Sequence, residues 1–229
     1  MPVHEKPCAQ VFQGAIIVVQ IIQIDQRTQD WYKLRKGIPT ASAAHKIVTG
    51  TGCRSTQARR YMGGLLNERQ GFESDHFGPT DAMARGITLE SEARIAFEQC
   101  QKIGTEEVGF VLRRDKKIGC SPDGLICDSS GRFNAGLEIK CPLPHNHSDI
   151  FWSGVLPTKY KPQVHASMAI TGLRSWWFMS YCPGVQPLVV KATWNTYTDL
   201  VKSELNHFIT QLDAATIRKG IDRDWREYI

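Results

Sequence analysis

The run EEVGFVLRRDKKIGCSPDGLICDSSGRFNAGLEIKCP, starting at Glu106 and ending at Pro142, constrains the chain more than any other segment. Its apolar stretches are separated by turn signals at RRDKK and DSSGRFN, so it reads as two hairpins sharing strands, a three-stranded meander. The last stretch, GLEIK, sets a carboxylate and an ammonium two residues apart in an apolar run. Strand side chains alternate faces, so Glu138 and Lys140 point one way and Leu137, Ile139 and Cys141 the other. Taken alone, such a motif is a half-buried strand with an ion pair on its wet face. CSPDGLIC upstream changes that reading. Asp123 closes one strand, with Pro122 fixing the backbone before it and Gly124 after it. Fifteen positions separate Asp123 from Glu138, the length of two short strands and their loop. The hairpin therefore sets Asp123, Glu138 and Lys140 on one rim.

Helical patterns flank this ribbon. AIIVVQIIQI, residues 15–24, reads as a first strand. Trp31 to Arg35 then reads as a helix, with a break over Gly37 to Pro39 and a second helix capped by Thr40 or Ser42. A further helix carries Tyr61, Leu65 and Leu66. Its glycines make no phosphate loop, because no G-K-[ST] follows. FESDHFGPTD reads as a loop. TDAMARGITLESEARIAFEQC is a long amphipathic helix with Leu89, Ala93, Ala96 and Phe97 on one face, and Glu90 and Arg94 as an i,i+4 surface pair. KPQVHASMAIT is a helix, SWWFMSYC and PLVVKATW are strands, and TDLVKSELNHFITQLDAATI closes the fold, with Leu200, Leu205, Phe208 and Leu212 as its apolar stripe. The expected architecture is one α/β (α+β) domain over residues 1–229, a central mixed sheet flanked by helices.

Composition narrows the setting. The 229 residues suffice for one sizeable core, and the formal charge of +5 suits a polyanionic partner. Seven scattered cysteines with no C-x-x-C pair point to reduced thiols in a cytosol rather than to disulfides or a zinc ribbon. The apolar run at 15–24 is too short to span a bilayer, and it lacks the basic start and cleavage site of a signal peptide, so no membrane role is expected.

Two carboxylates and an amine on one rim are what a hard octahedral cation such as Mg²⁺ asks of a protein, with positions left for water and phosphate oxygens. Such an ion polarises a phosphodiester and lowers the pKa of a bound water. Lys140, partly desolvated, is then a candidate to orient that water or take its proton. S-P-D-G followed by G-L-E-I-K-C-P resembles the PD-(D/E)xK nuclease superfamily, and more narrowly the phage lambda exonuclease family, the viral alkaline exonucleases with their YqaJ-like branch. WYKLRKGIPTAS, MARGITLESEARIAFE and TKYKPQVHASMAIT resemble further elements of that family in the same order. Together the four motifs cover roughly residues 27 to 180.

The resemblance implies a PD-(D/E)xK restriction-endonuclease-like core and roles residue by residue. Asp123, Glu138 and the carbonyl of Ile139 match metal ligands, Lys140 the catalytic lysine, and Glu90 an outer carboxylate holding a metal-bound water. Gln163 and Tyr160 match polar residues of the same pocket. Arg35, Ser42 and Ser121 match a pocket for a 5′-terminal phosphate, and Met83 an apolar wedge between terminal base pairs. Arg54, Arg59 and Arg60, with the run from Arg113 to Lys117, are candidates for backbone contacts to DNA.

The implied activity is a Mg²⁺-dependent exonuclease, with two ions per site and Mn²⁺ as a substitute. It degrades the 5′-ended strand of linear double-stranded DNA to mononucleotides and leaves a 3′ overhang for recombination. A homotrimeric ring, a single-strand annealing protein as partner and the cytoplasm of a bacterial host are implied with it. An endonuclease on the same core, a non-catalytic DNA-binding scaffold and a phosphatase are the rival readings. The chain departs from the family pattern at His165, where a second glutamine is expected, and at His145 and His147, which stand where an arginine is expected. HNH at 145–147 reads as a polar loop rather than as an HNH nuclease, whose residues are spread over a ββα unit. Cys141 with His145 and His147 makes only a weak zinc signal.

Overall fold

The computed structural model describes residues 5–6, 19–72 and 80–221. Most of the loop at 72–81 and the start of the first apolar run, residues 15–18, lie outside them. Eight strands form two four-stranded sheets among the described residues. The first is antiparallel throughout, in the order β1 (Glu5–Lys6), β2 (Val19–Ile22), β3 (Phe110–Arg113), β4 (Gly119–Cys120). The second is mixed, in the order β5 (Gly124–Cys127), β6 (Phe133–Lys140), β7 (Ser175–Ser180), β8 (Leu188–Thr193), with β6 and β7 parallel.

The expected three-stranded meander is therefore two hairpins in two sheets, parted over Ser121–Asp123. Pro122 has no N–H to continue a ladder. Asp123 N donates instead to Leu137 O at 3.1 Å and so joins the second sheet. The Gln26 amide spans the joint, donating to Pro122 O at 3.1 Å and to Val108 O at 3.0 Å.

Parallel β6 and β7 require a crossover, which is built from two helices, α4 (Pro144–Ser153) and α5 (Lys161–Thr171). α4 corrects the reading of 145–147 as a loop. Pro144 opens it and Gly154, at φ 65°, closes it in the left-handed region, both ordinary helix-end signals. His147 is buried within it. Its Nε2 lies 2.9 Å from Gln186 O, which can only accept, so Nε2 carries the proton and Nδ1 accepts from Ser180 Oγ at 2.8 Å. His145 remains exposed.

Helices α1 (Gln29–Arg35), α2 (Ala58–Arg69), α3 (Asp81–Gln101) and α6 (Thr196–Arg218) follow the sequence expectation. The helix expected after Thr40 is a short 3-10 helix, Ala41–Lys46, and Thr40 Oγ1 pairs with Ser42 Oγ at 3.1 Å instead of capping it. α6 buries Leu205, Phe208 and Leu212, whereas Leu200 of the expected stripe is exposed. Arg69 bolts this layer together, donating from the core to Gly37 O at 2.9 Å and Thr216 Oγ1 at 2.8 Å.

The second sheet carries the site and is covered on both faces. Ala135, Leu137, Ile139 and Cys141 pack with Ala93 and Phe97 of α3. Trp176 and Phe178 of β7 belong to the larger core with Val164 and Met168 of α5. The face of Glu138 is thus a buried face, not a wet one.

Two residues of this layer carry predictions. A Cβ at Gly136 would lie 2.4–2.5 Å from the ring of fully buried Trp176. Gly136→Ala is expected to cost about 1–3 kcal/mol by overpacking, read as a lower urea midpoint at unchanged slope. His165 is buried between α5 and α6, with Nδ1 2.7 Å from Thr198 Oγ1 and its ring edge-on to Tyr197. Desolvation, with Lys161 adding repulsion, pulls its pKa from 6.5 to about 4. A histidine depressed in this way stabilises the fold fully above pH 6.5, and that stability is lost as pH falls from 6.5 toward 4. The thermal midpoint should fall across that window, and His165→Gln should flatten the fall.

Candidate active site

β6 outruns its partner, and the site occupies the overhang. Pairing of β5 with β6 begins at Gly124 opposite Leu137, so no strand flanks Ile139 and Lys140 on that side. Asp123 fills the place. Its backbone takes Leu137 O, and its Oδ2 accepts from Ile139 N at 2.6 Å. Within a strand a residue's N–H and C=O point to the same edge, so the Ile139 carbonyl faces the Asp123 side as well.

Glu138 is 2% exposed and lies on the α5 face, as the alternation predicts. Its Oε1 accepts from Lys140 Nζ, and from Gln163 Nε2 at 2.6 Å across from the first turn of α5. Tyr160, the residue before α5, stacks on Phe178 and holds its ring 5.6 Å from Lys140 Nζ. The five residues Asp123, Glu138, Ile139, Lys140 and Gln163 thus come together.

Electrostatics follow from this crowding. Burial pushes the Asp123 carboxyl well above the usual carboxylate range, and Glu138 and Glu90 add to the effect against the pull of Lys140. Burial by itself would lower the Lys140 ammonium. The Glu138 and Asp123 charges outweigh it and hold the group above its ordinary value. Without a cation, Lys140 is a fixed donor rather than the proton acceptor expected of a buried lysine.

Glu90 of α3 lines the same cleft, but both its oxygens are engaged, one by Arg27 and the other by Arg94 at 3.2 Å. Arg94 is buried and pairs onward with Glu107, so the expected surface pair is one link in a chain of ions. Among the described residues no three His, Cys, Asp or Glu side chains gather closely enough to enclose a metal by themselves.

Arg35, Ser42 and Ser121 also come together. The Arg35 guanidinium lies over the Trp31 ring at 3.9 Å, and donates to Ser121 Oγ at 2.9 Å and Ser42 Oγ at 3.4 Å. Burial lowers its pKa to about 10, which leaves it charged at neutral pH. Met83 is 60% exposed on α3 at the rim of the cleft.

Arg54, Arg59 and Arg60 are exposed and do not line this cleft, and Arg54 pairs with Glu204 at 2.9 Å. Sequence reasoning missed Gln26, Arg27, Arg85 and Lys159. The last three line the cleft, and no local pattern marks any of them: Gln26, Arg27 and Arg85 meet partners far along the chain, and Lys159 lies over the ring of its neighbour Tyr160.

The cleft encloses about 1580 Å³. Its charged walls carry Arg27, Lys33, Lys36, Arg85, Lys140 and Lys159 against Asp81, Glu90 and Asp123, a cationic excess around an acidic floor.

Several solved structures share this fold. An alkaline exonuclease from Laribacter hongkongensis superimposes with a TM-score of 0.73 at 25% identity, over 84% of this chain and 96% of that one. A second structure, solved with dAMP, gives a TM-score of 0.67 at 24% identity, over 84% and 98%. A phage-related exonuclease from Haemophilus somnus gives 0.57 at 13% identity, over 78% and 96%. No curated protein sequence matches the chain. The family model for the YqaJ-like viral recombinase domain matches residues 30–174, which contain all five clustered residues and the Arg35 pocket, and the chain belongs to that family.

Proposed function

We propose that the chain is a Mg²⁺-dependent exonuclease that digests the 5′-ended strand of linear double-stranded DNA and leaves a 3′ overhang. One observation carries the reading: Asp123, Ile139 and Lys140 line one cleft, with the Glu138 carboxylate buried just behind Lys140 and bonded to it, among walls in which cations outnumber acids. The donor set fits the ion. Two carboxylates and a carbonyl suit a small octahedral cation that retains several waters and seeks phosphate oxygens, and they fall short of the six to eight oxygens that Ca²⁺ prefers. Burial first, and then the charges of Glu138 and Glu90, raise the Asp123 carboxyl, and a divalent cation would favour its ionised form. Mn²⁺ has the same ligand preference. Two ions per site would draw on Glu90, which must first release Arg27 or Arg94.

Asp123, Glu138 and the Ile139 carbonyl would hold the cation, which would polarise a phosphoryl oxygen and make a bound water easier to deprotonate near neutral pH. The chain's own residues do the positioning. Ile139 N pins the Asp123 carboxylate through Oδ2. Lys140 and Gln163 both occupy Oε1 of Glu138, which leaves Oε2 for the ligand side. The Lys140 ammonium beside Glu138 would orient the attacking water, and neutralisation of the carboxylates by a cation would lower its hold on its proton. Arg35, Ser42 and Ser121 offer a guanidinium fork and two hydroxyls to a terminal phosphate, and exposed Met83 offers an apolar wedge at the rim.

A ring-shaped homotrimer, a single-strand annealing protein as partner and a bacterial cytoplasm as the setting rest on family membership. Arg54, Arg59 and Arg60 are assigned to DNA outside the cleft.

The test is timed digestion of a duplex labelled at both termini, beside a closed circle. The 5′ label should leave first, the circle should survive, and EDTA should stop the reaction. Asp123→Asn and Lys140→Ala should each lower kcat by about 10²–10⁴-fold, the first with a thermal midpoint near that of the unaltered protein and the second with a lower one, because it leaves the buried Glu138 without its cation. Loss of the 3′ label first would reverse the polarity, and cutting of the circle would make the enzyme an endonuclease.

A further inference from the structure

Arg85 lies in the second turn of α3 and lines the cleft. The other long cationic side chains nearest the acids are already engaged, Arg27 with Glu90, Lys140 with Glu138 and Arg35 with Ser121 and Ser42. Among the described residues no carboxylate pairs with Arg85. Its Nε is buried with no hydrogen-bond partner, and its one polar contact is a weak one, Nη2 to Cys182 Sγ at 3.7 Å.

Cys182 fixes where the guanidinium sits. Tyr181 N donates to Lys140 O at 2.8 Å, so the chain at 181–182 runs beside the end of β6. Arg85 therefore stands by the carboxyl ends of the two parallel strands, on α3, the helix that packs against the Ile139 and Cys141 face of β6. A guanidinium carries five donors and cannot shed its charge. Holding one half-buried against a thiol, with an orphaned N–H, costs free energy that packing alone does not return. An anionic oxygen supplied from the cleft would satisfy the fork.

We propose that Arg85 is a further substrate-binding residue, taking a phosphodiester oxygen of the nucleic-acid strand where the cleft passes the carboxyl end of β6. The inference rests on the nuclease reading and assigns a phosphate contact separate from the Arg35, Ser42 and Ser121 cluster. As a charge contact made in the bound state, it lowers KM and steepens the salt dependence of binding, with little effect on kcat.

The experiment compares the full-length protein with Arg85→Gln, Arg85→Lys and Cys182→Ala. Binding of a 5′-phosphorylated duplex is measured in Ca²⁺ from low to moderate salt, and turnover in Mg²⁺. Arg85→Gln should raise KM about tenfold, leave kcat within about twofold, and reduce the slope of log affinity against log salt by about one. Arg85→Lys should retain that slope, and Cys182→Ala should behave as the unaltered protein. An unchanged slope and KM in Arg85→Gln, or a Cys182→Ala variant that reproduces its defect, overturns the assignment while leaving the nuclease reading in place. Unaltered protein that neither binds nor cuts the duplex overturns both.

Discussion

The bond from Ile139 N to the Asp123 carboxylate is the constraint on which the site depends. It substitutes one side chain for a missing ladder partner, at the position where β6 has run past β5. Without it, the end of β6 would present an unpaired backbone donor, and Asp123 would have no reason to face Glu138. The bond in turn requires the chain to leave the first sheet at Pro122 and enter the second at Gly124. Fold and site are therefore a single solution to one backbone problem, and the Gln26 amide holds that solution from outside.

What surrounds the bond is costly. Glu138 is almost wholly buried, and Lys140 and Gln163 satisfy only one of its oxygens. Replacing a buried ion pair with apolar residues of similar volume is often neutral or stabilising, so stability does not explain why this face of β6 is polar. The odd-numbered face of the same strand shows the alternative, with Leu137, Ile139 and Cys141 packed against Phe97. One strand thus separates packing from chemistry by parity alone. Deletion of a single residue within it would exchange the two faces.

That parity is why so much of the site is legible in the sequence. GLEIK fixes which side chains share a face, S-P-D-G marks where the ribbon breaks, and the α3 and α5 patterns bring Glu90 and Gln163 to the same end of the sheet. Local signals also carry α4, through Pro144 and Gly154, although the polar letters between them obscure it. The partition into two sheets is not legible, because periodicity finds strands but does not say which strands pair. Long-range ion pairs escape for the same reason. Arg27 meets Glu90 across 63 positions, from a backbone at φ 70° that a sequence pattern gives no reason to expect of arginine. His165 reads as a departure from a catalytic helix, yet it belongs to the seam between α5 and α6, because its position places it on the opposite side of the helix from Gln163.

The joint at Ser121–Asp123 has a mechanical meaning. Its first residue touches Arg35 and its last touches β6, so two functional clusters hang from opposite ends of three residues stiffened by a proline. Two residues of chain reach at most about 7 Å, so the two anchor points cannot lie farther apart than that along the backbone. Under the proposed activity this short span is a gauge. It would limit the distance from the grip on a strand's terminus to the place of scission, and so would bound the size of the fragment released.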